Sequence, residues 1–163
     1  MRLIVKESSF KNLIYVDESG FDPHTYRPYA WSPRGKKSHG TRWGRGGLRT
    51  NLIAAKRGKE LLAPVLYEGS TSAAWFNQWF EEHLLKELNP GSTIIMDNAA
   101  FHRKEDIHAM AEKEGHKVLF LPPYSPDFNP IEQDFAILKK IRQNALLNTT
   151  IDHIVKSYGT FLE

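Results

Sequence analysis

Three acidic side chains stand in contexts where a protein could put them to chemical use. Asp17 closes the apolar run KNLIYV in IYVDESGF, Asp97 closes a second run in TIIMDNAAFH, and Glu132 opens an amphipathic segment in LPPYSPDFNPIEQDF. If the two runs are neighbouring strands and the segment is a helix packed on them, the three carboxylates converge. Such a cluster repels itself without a cation, and hard oxygen donors suit Mg²⁺ or Mn²⁺. Two such ions, about 3.5–4 Å apart, activate a water or a 3′-hydroxyl and stabilise the leaving oxygen, so a phosphodiester is attacked in line with no protein nucleophile. Plainer readings exist for each residue. An Asp after a strand is an ordinary turn residue. Asn129-Pro130-Ile131-Glu132 fits a capping box, with Asn129 as N-cap, Pro130 at the first helical position and Glu132 at the third. Residue types alone leave both readings open.

The elements that would position these groups can be read from pattern and punctuation. Residues 11–16 predict a buried strand ending at Asp17, and a second short strand is expected around Tyr29–Trp31. Residues 33–47 (PRGKKSHGTRWGRGG) are Gly-rich, basic and aperiodic, and predict a loop. Residues 49–55 and 61–67 read as a hairpin turning at Gly58. From Ser72, a plausible N-cap, to Leu88 the apolar residues Phe76, Trp79, Phe80, Leu84 and Leu88 recur at helical spacing, and Asn89-Pro90-Gly91 stops the helix. Aromatics so spaced, Trp75 included, pack inward as a rule. Residues 93–96 and 117–121 predict strands, and residues 103–114 a polar helix closed by Gly115. A helix with the stripe Ile131, Phe135, Leu138 and Ile141 runs from near Pro130 to about Asn144, and residues 151–161 form a last amphipathic segment. Antiparallel strands followed by βαβα units predict an α/β fold, a mixed sheet flanked by helices. In open sheets of that kind active sites lie at strand carboxyl ends, where Asp17 and Asp97 are expected.

Composition bounds the partners. With 163 residues, 40% hydrophobic and 25% charged, the chain fits one globular domain. No cysteine is present, which excludes disulfides, thiolate metal sites and a cysteine nucleophile. No apolar run approaches the ~20 residues that span a bilayer, and no secretory signal is evident, so a cytoplasmic protein is expected. The histidines His24, His39, His83 and His153 show no metal-ligand spacing. Ten basic residues and no acidic one lie between Arg27 and Lys59, which leaves −7 on the rest of a chain whose net charge is +3. A basic segment on an otherwise acidic protein predicts a polyanionic partner. Arg34, Lys36, Lys37, Arg42, Arg45 and Arg49 are candidate phosphate contacts, with Tyr29, Trp31 and Trp43 interleaved for stacking on unpaired bases. A solvated loop is the plain alternative.

The strings around the carboxylates carry a resemblance. DNAAFH at 97–102 followed by LPPYSPDFNPIE at 121–132, with 34 residues between Asp97 and Glu132, resembles the DDE transposases of the mariner-like superfamily, more narrowly the bacterial insertion-sequence branch. VDESGF at 16–21 and YAWSPRG at 29–35 resemble the first catalytic motif and the stretch after it, and the likeness runs from about Leu13 to Leu147. The resemblance implies a ribonuclease H-like fold with a five-stranded mixed sheet. It implies Asp17, Asp97 and Glu132 as ligands of two Mg²⁺ or Mn²⁺ ions, DNA hydrolysis at transposon ends, and strand transfer to target DNA by the freed 3′-hydroxyl. Glu18 is a poorer ligand, because its side chain points to the opposite face of the strand from Asp17. His102, inside the matching string, either contacts a phosphate or tunes the site, or else caps and packs at the next helix.

In mariner-like enzymes the basic region also contacts a second subunit, so a homodimer is a secondary expectation. Complete members carry an N-terminal helix-turn-helix domain that recognises the element's ends. Only about ten residues precede the first expected strand here. Residues 1–163 are therefore expected to form the catalytic domain alone, the recognition part being encoded separately, joined by frameshifting, or lost. Two other readings compete: another ribonuclease H-like nuclease, and a non-catalytic DNA-binding relic or regulator of a full-length transposase.

Overall fold

A computed structural model describes residues 12–22, 34, 49–99, 102–123, 125–146 and 149–158. Three strands, β1 (Leu13–Phe21), β2 (Thr50–Arg57) and β3 (Glu60–Glu68), form an antiparallel meander. The β2–β3 hairpin turns at Gly58, whose φ of 57° lies in the left-handed region that glycine occupies without steric cost. On β3, Ala63 and Pro64 stand opposite the single residue Ala54, a bulge that absorbs a proline in an edge strand. Ala63 itself has φ 46°, held by Glu87, which accepts its N–H at 3.0 Å, and by the Trp79 indole, which donates to its carbonyl at 2.9 Å.

The chain then crosses over to build the parallel half. Helix α1 (Ala73–Trp79) begins at Ser72, whose hydroxyl accepts from the Trp75 N–H, the N-cap expected from sequence. The single predicted helix is instead interrupted: a π-helical segment (Phe80–Leu84) precedes a last turn, α2 (Leu85–Glu87). Phe76, Phe80 and Leu84 recur every four residues, which drifts off a 3.6-residue turn; the wider π turn keeps the stripe on the core. Strand β4 (Thr93–Met96) pairs parallel with β1, α3 (Lys104–Lys113) crosses over, and β5 (Lys117–Phe120) pairs parallel with β4. The sheet order is β3-β2-β1-β4-β5, the mixed five-stranded sheet expected. A 3₁₀ turn (Pro126–Phe128) leads into α4 (Ile131–Asn144), followed by α5 (Ile151–Tyr158).

Strand alternation splits the core between two faces. Ile14, Val16, Ile94, Met96 and Val118 pack against Phe76, Trp79, Phe80, Leu84 and Ile107. On the other face Phe21, Leu52 and Ala54 pack against Ile131, Phe135 and Leu138 of α4 and Ile154 and Tyr158 of α5. One strand boundary needs revision. The first strand does not end at Asp17 but continues to Phe21, because antiparallel pairing with β2 runs from Tyr15 to Phe21 while parallel pairing with β4 stops at Val16. The strand expected around Tyr29–Trp31 and most of the basic loop lie outside the described residues. Among the described residues no helix is long and apolar enough to cross a membrane.

Candidate active site

Strand register brings the first two carboxylates together. Val16 pairs with Met96 in the parallel ladder, so Asp17 and Asp97 are the next residue on each of two adjacent strands. Val16 and Met96 both belong to the α1 face, so their successors emerge on the other side, where α4 packs. Asp97 lies at the carboxyl end of β4, and Asp17 lies at the point where β4 leaves the side of β1. Glu132 stands in the first turn of α4. Asp97 and Glu132 line one cleft of about 410 Å³, walled by Leu121, Pro122, Pro123, Ser125 and Asn129. The proline pair ends β5, and the Leu121 N–H donates to the Met96 carbonyl at 2.7 Å, pinning the cleft wall to the end of β4.

The electrostatics of Asp17 register this convergence. Its carboxyl is pushed up to about 7, first by burial and then by the charges of Asp97, Glu132 and Glu18, against the opposing hydrogen bond that Oδ1 accepts from the Glu18 N–H at 2.8 Å. Asp97 is open to solvent, its side chain 56% exposed, and its Oδ1 lies 3.2 Å from His102 Nε2. The His102 side chain is only 3% exposed and meets Phe76 edge-on at 4.4 Å, so the ring is turned toward the carboxylate from inside the core. The capping box is absent. The N-cap of α4 is Pro130 with no side-chain cap; Asn129 uses its amide elsewhere, donating from Nδ2 to the Val16 carbonyl at 3.4 Å. Glu132 therefore keeps a carboxylate on the cleft wall.

The profile of the DDE superfamily endonucleases matches residues 12–153. The chain belongs to that family. Its fold is shared with solved transposase structures. The Mos1 mariner paired-end complex with Mg matches over 99% of this chain and 51% of that one, at 19% identity and a TM-score of 0.71. The Mos1 paired-end complex with left transposon end matches at 19% identity with a TM-score of 0.70, and the catalytic domain of Mos1 mariner transposase at 17% identity, over 99% of this chain and 74% of that one, with a TM-score of 0.61. At such identities the likeness establishes the ribonuclease H-like fold. The chain spans about half the length of the paired-end transposase chains it matches. No curated protein sequence matches it.

In this DDE endonuclease domain, as it stands among the described residues, no three Asp, Glu, His or Cys side chains close to metal-ligand geometry. The donor types nevertheless suit a hard divalent cation: Asp97 and Glu132 line one open cleft, and Asp17, half-buried beside them, has its carboxyl raised by burial first and by their charges after it.

Of the candidate DNA contacts, Arg34 and Arg49 are exposed. Arg49 lies over Gly20, where a Cβ would stand 1.9 Å from its Nε, so only glycine admits this approach. Lys36, Lys37, Arg42 and Arg45 lie outside the described residues, as do Tyr29, Trp31, Trp43, His24 and His39. Among the described basic residues of this segment, two pair within the chain. Arg57 pairs with Glu60 at 3.0 Å and donates to the Glu87 carbonyl at 3.1 Å, and Lys56 pairs with Asp134.

The Asp134 cluster was missed by sequence reasoning. Asp134 is buried on α4, paired with Lys56 of β2 and accepting from the Tyr158 hydroxyl of α5 at 2.5 Å. The signal was available: Asp134 falls on the inward face 131, 134, 135, 138, where an acid requires partners.

Proposed function

We propose that this domain is the catalytic core of a mariner-like DDE transposase of the bacterial insertion-sequence branch, and that Asp17, Asp97 and Glu132 hold two Mg²⁺ or Mn²⁺ ions. The observation that carries the reading is the placement of Asp17 and Asp97 side by side on parallel strands, facing the helix that supplies Glu132, with the charges of Asp97 and Glu132 adding to burial in raising the Asp17 carboxyl. Bound cations would supply Lewis-acid activation of the attacking oxygen and charge stabilisation at the phosphate. The chain's own residues do the positioning. The Glu18 N–H fixes one oxygen of Asp17, His102 orients Asp97, and the Pro122-Pro123 wall limits the approach of the strand to be cut. The open cleft suits an extended substrate, and solved Mos1 complexes hold a transposon end, Mg or Mn. DNA contacts by Arg34, Lys36, Lys37, Arg42, Arg45 and Arg49, pairing of two copies on two element ends, and a recognition part carried on a separate chain belong to this reading. So does a cytoplasmic site of action.

Supercoiled plasmid, incubated with the protein and Mn²⁺, tests it. Nicking by wild type and none by Asp97→Ala is expected. Preferential cutting of RNA in a hybrid duplex would favour another ribonuclease H-like nuclease. Salt-sensitive DNA binding with no cleavage, equal in wild type and Asp97→Ala, would point to a non-catalytic DNA-binding protein.

A further inference from the structure

Asn129 is 4% exposed and lines the cleft that Asp97 and Glu132 share. Its amide is oriented by chemistry as well as geometry. The Val16 carbonyl can only accept, so the group facing it at 3.4 Å is the NH₂, and Oδ1 is turned the other way. That oxygen is buried and has no hydrogen-bond partner among the described residues. A buried acceptor left without a donor is destabilising, so such a group beside this cleft calls for an explanation. The obvious local use, capping α4, is not taken up: the helix has no side-chain cap, and Asn129 contributes its backbone carbonyl instead, which accepts from the Glu132 N–H at 3.2 Å. Asn129 thus touches the backbone on both sides of the site. Its NH₂ holds the peptide before Asp17, and its carbonyl holds the turn that carries Glu132.

We infer that Asn129 is a positioning residue of the carboxylate cleft, its Oδ1 accepting a hydrogen bond from the hydration shell of a divalent cation held by Asp17, Asp97 and Glu132. The inference rests on the metal-binding reading above and adds a neutral oxygen donor to it. A hydrated cation keeps several waters, each with protons to donate, and a fixed carboxamide oxygen would orient one of them without adding to the charge repulsion.

The test is Mn²⁺ titration of the full chain, followed by the EPR signal of free Mn²⁺, with thermal melting of each metal-free variant alongside. Asn129→Leu should weaken Mn²⁺ binding by about 10- to 100-fold, the usual cost of losing an outer-shell partner. Asn129→Asp keeps an oxygen at the Oδ1 position but loses the donor to Val16, and should bind Mn²⁺ at least as tightly as wild type. If Asn129 acts only as a clamp on Val16, Asn129→Asp will be as weak as Asn129→Leu, and the inference fails. If added charge alone explains recovery, Ser125→Asp in the Asn129→Leu background will regain binding; the inference requires that it does not. Should Asn129→Leu not fold, weakened binding by Asn129→Asp overturns the inference and retained binding supports it. Equal binding by wild type and Asn129→Leu overturns this inference alone, whereas no Mn²⁺ binding by wild type overturns the metal-binding reading as well.

Discussion

Asp17 and Glu18 are adjacent on one strand and meet opposite fates. Glu18 faces the α1 side, where the Tyr67 hydroxyl and the Thr71 hydroxyl each donate to its Oε2 at 2.6 Å, and Tyr67 in turn packs on Trp75 with ring centroids 4.1 Å apart. Asp17 faces the α4 side and meets two further carboxylates, with one backbone N–H as its donor. Asp134, two residues beyond Glu132, resembles Glu18: it is buried but supplied with Lys56 and Tyr158. Glu18 and Asp134 are thus compensated where they serve structure, whereas among the described residues no Lys or Arg pairs with Asp17, Asp97 or Glu132. Uncompensated charge is costly, so its concentration at strand ends beside a cleft supports the proposal that an incoming positive partner binds there.

Substitutions on the two sides should separate accordingly. The largest effect is expected at the uncompensated cluster: Asp97→Ala should reduce Mn²⁺ affinity by more than the roughly 100-fold that loss of an outer-shell partner costs, measured by calorimetric titration. Next is the compensated acid on the same helix. Asp134→Ala leaves Lys56 without its partner and should destabilise the fold by about 3 kcal/mol in urea denaturation, while Mn²⁺ binding suffers less than in Asp97→Ala.

A pH effect follows in size. The Asp17 carboxyl sits at about 7 in the fold against 3.8 ordinarily, so the metal-free folded state holds a proton that the unfolded chain has lost between those values. Stability from this group is therefore fully present below about pH 4 and lost as pH rises through about 7. Asp17→Asn should flatten that loss, worth on the order of 2 kcal/mol after discounting for solvent screening, as read from the difference between wild-type and variant denaturation across pH. A variant curve parallel to wild type would contradict it. The smallest change belongs to Glu18→Gln: about 1 kcal/mol of stability from a weakened hydrogen-bond cluster, with Mn²⁺ affinity nearly unaltered. A large loss of Mn²⁺ binding there would erase the contrast between the two faces.

Much of this arrangement was legible in the sequence because its cues are local. An apolar β-rich run followed by an acid marks Asp17 and Asp97, and the five-strand frame that holds them follows from run length and the Gly58 turn. What escaped depends on partners far along the chain. Nothing near Asp17 tells that β1 continues to Phe21, since that extension comes from pairing with residues 50–56. Asn129 carries every local mark of an N-cap, yet its amide is used by Val16, 113 positions away. Asp134 looks like a defect in an apolar stripe until Lys56, 78 positions away, and Tyr158 are brought to it. The break in the predicted long helix reflects how four-residue spacing must be met by the core, which periodicity alone does not disclose.

Anomalous scattering from a crystal of the protein soaked in Mn²⁺, with Asp97→Ala as comparison, tests the central claim most directly. The account predicts manganese bounded by Asp17, Asp97 and Glu132 in wild type and its loss in the variant. Manganese absent from wild type, with DNA present as well as without it, would contradict the assignment of these carboxylates as a metal-holding triad.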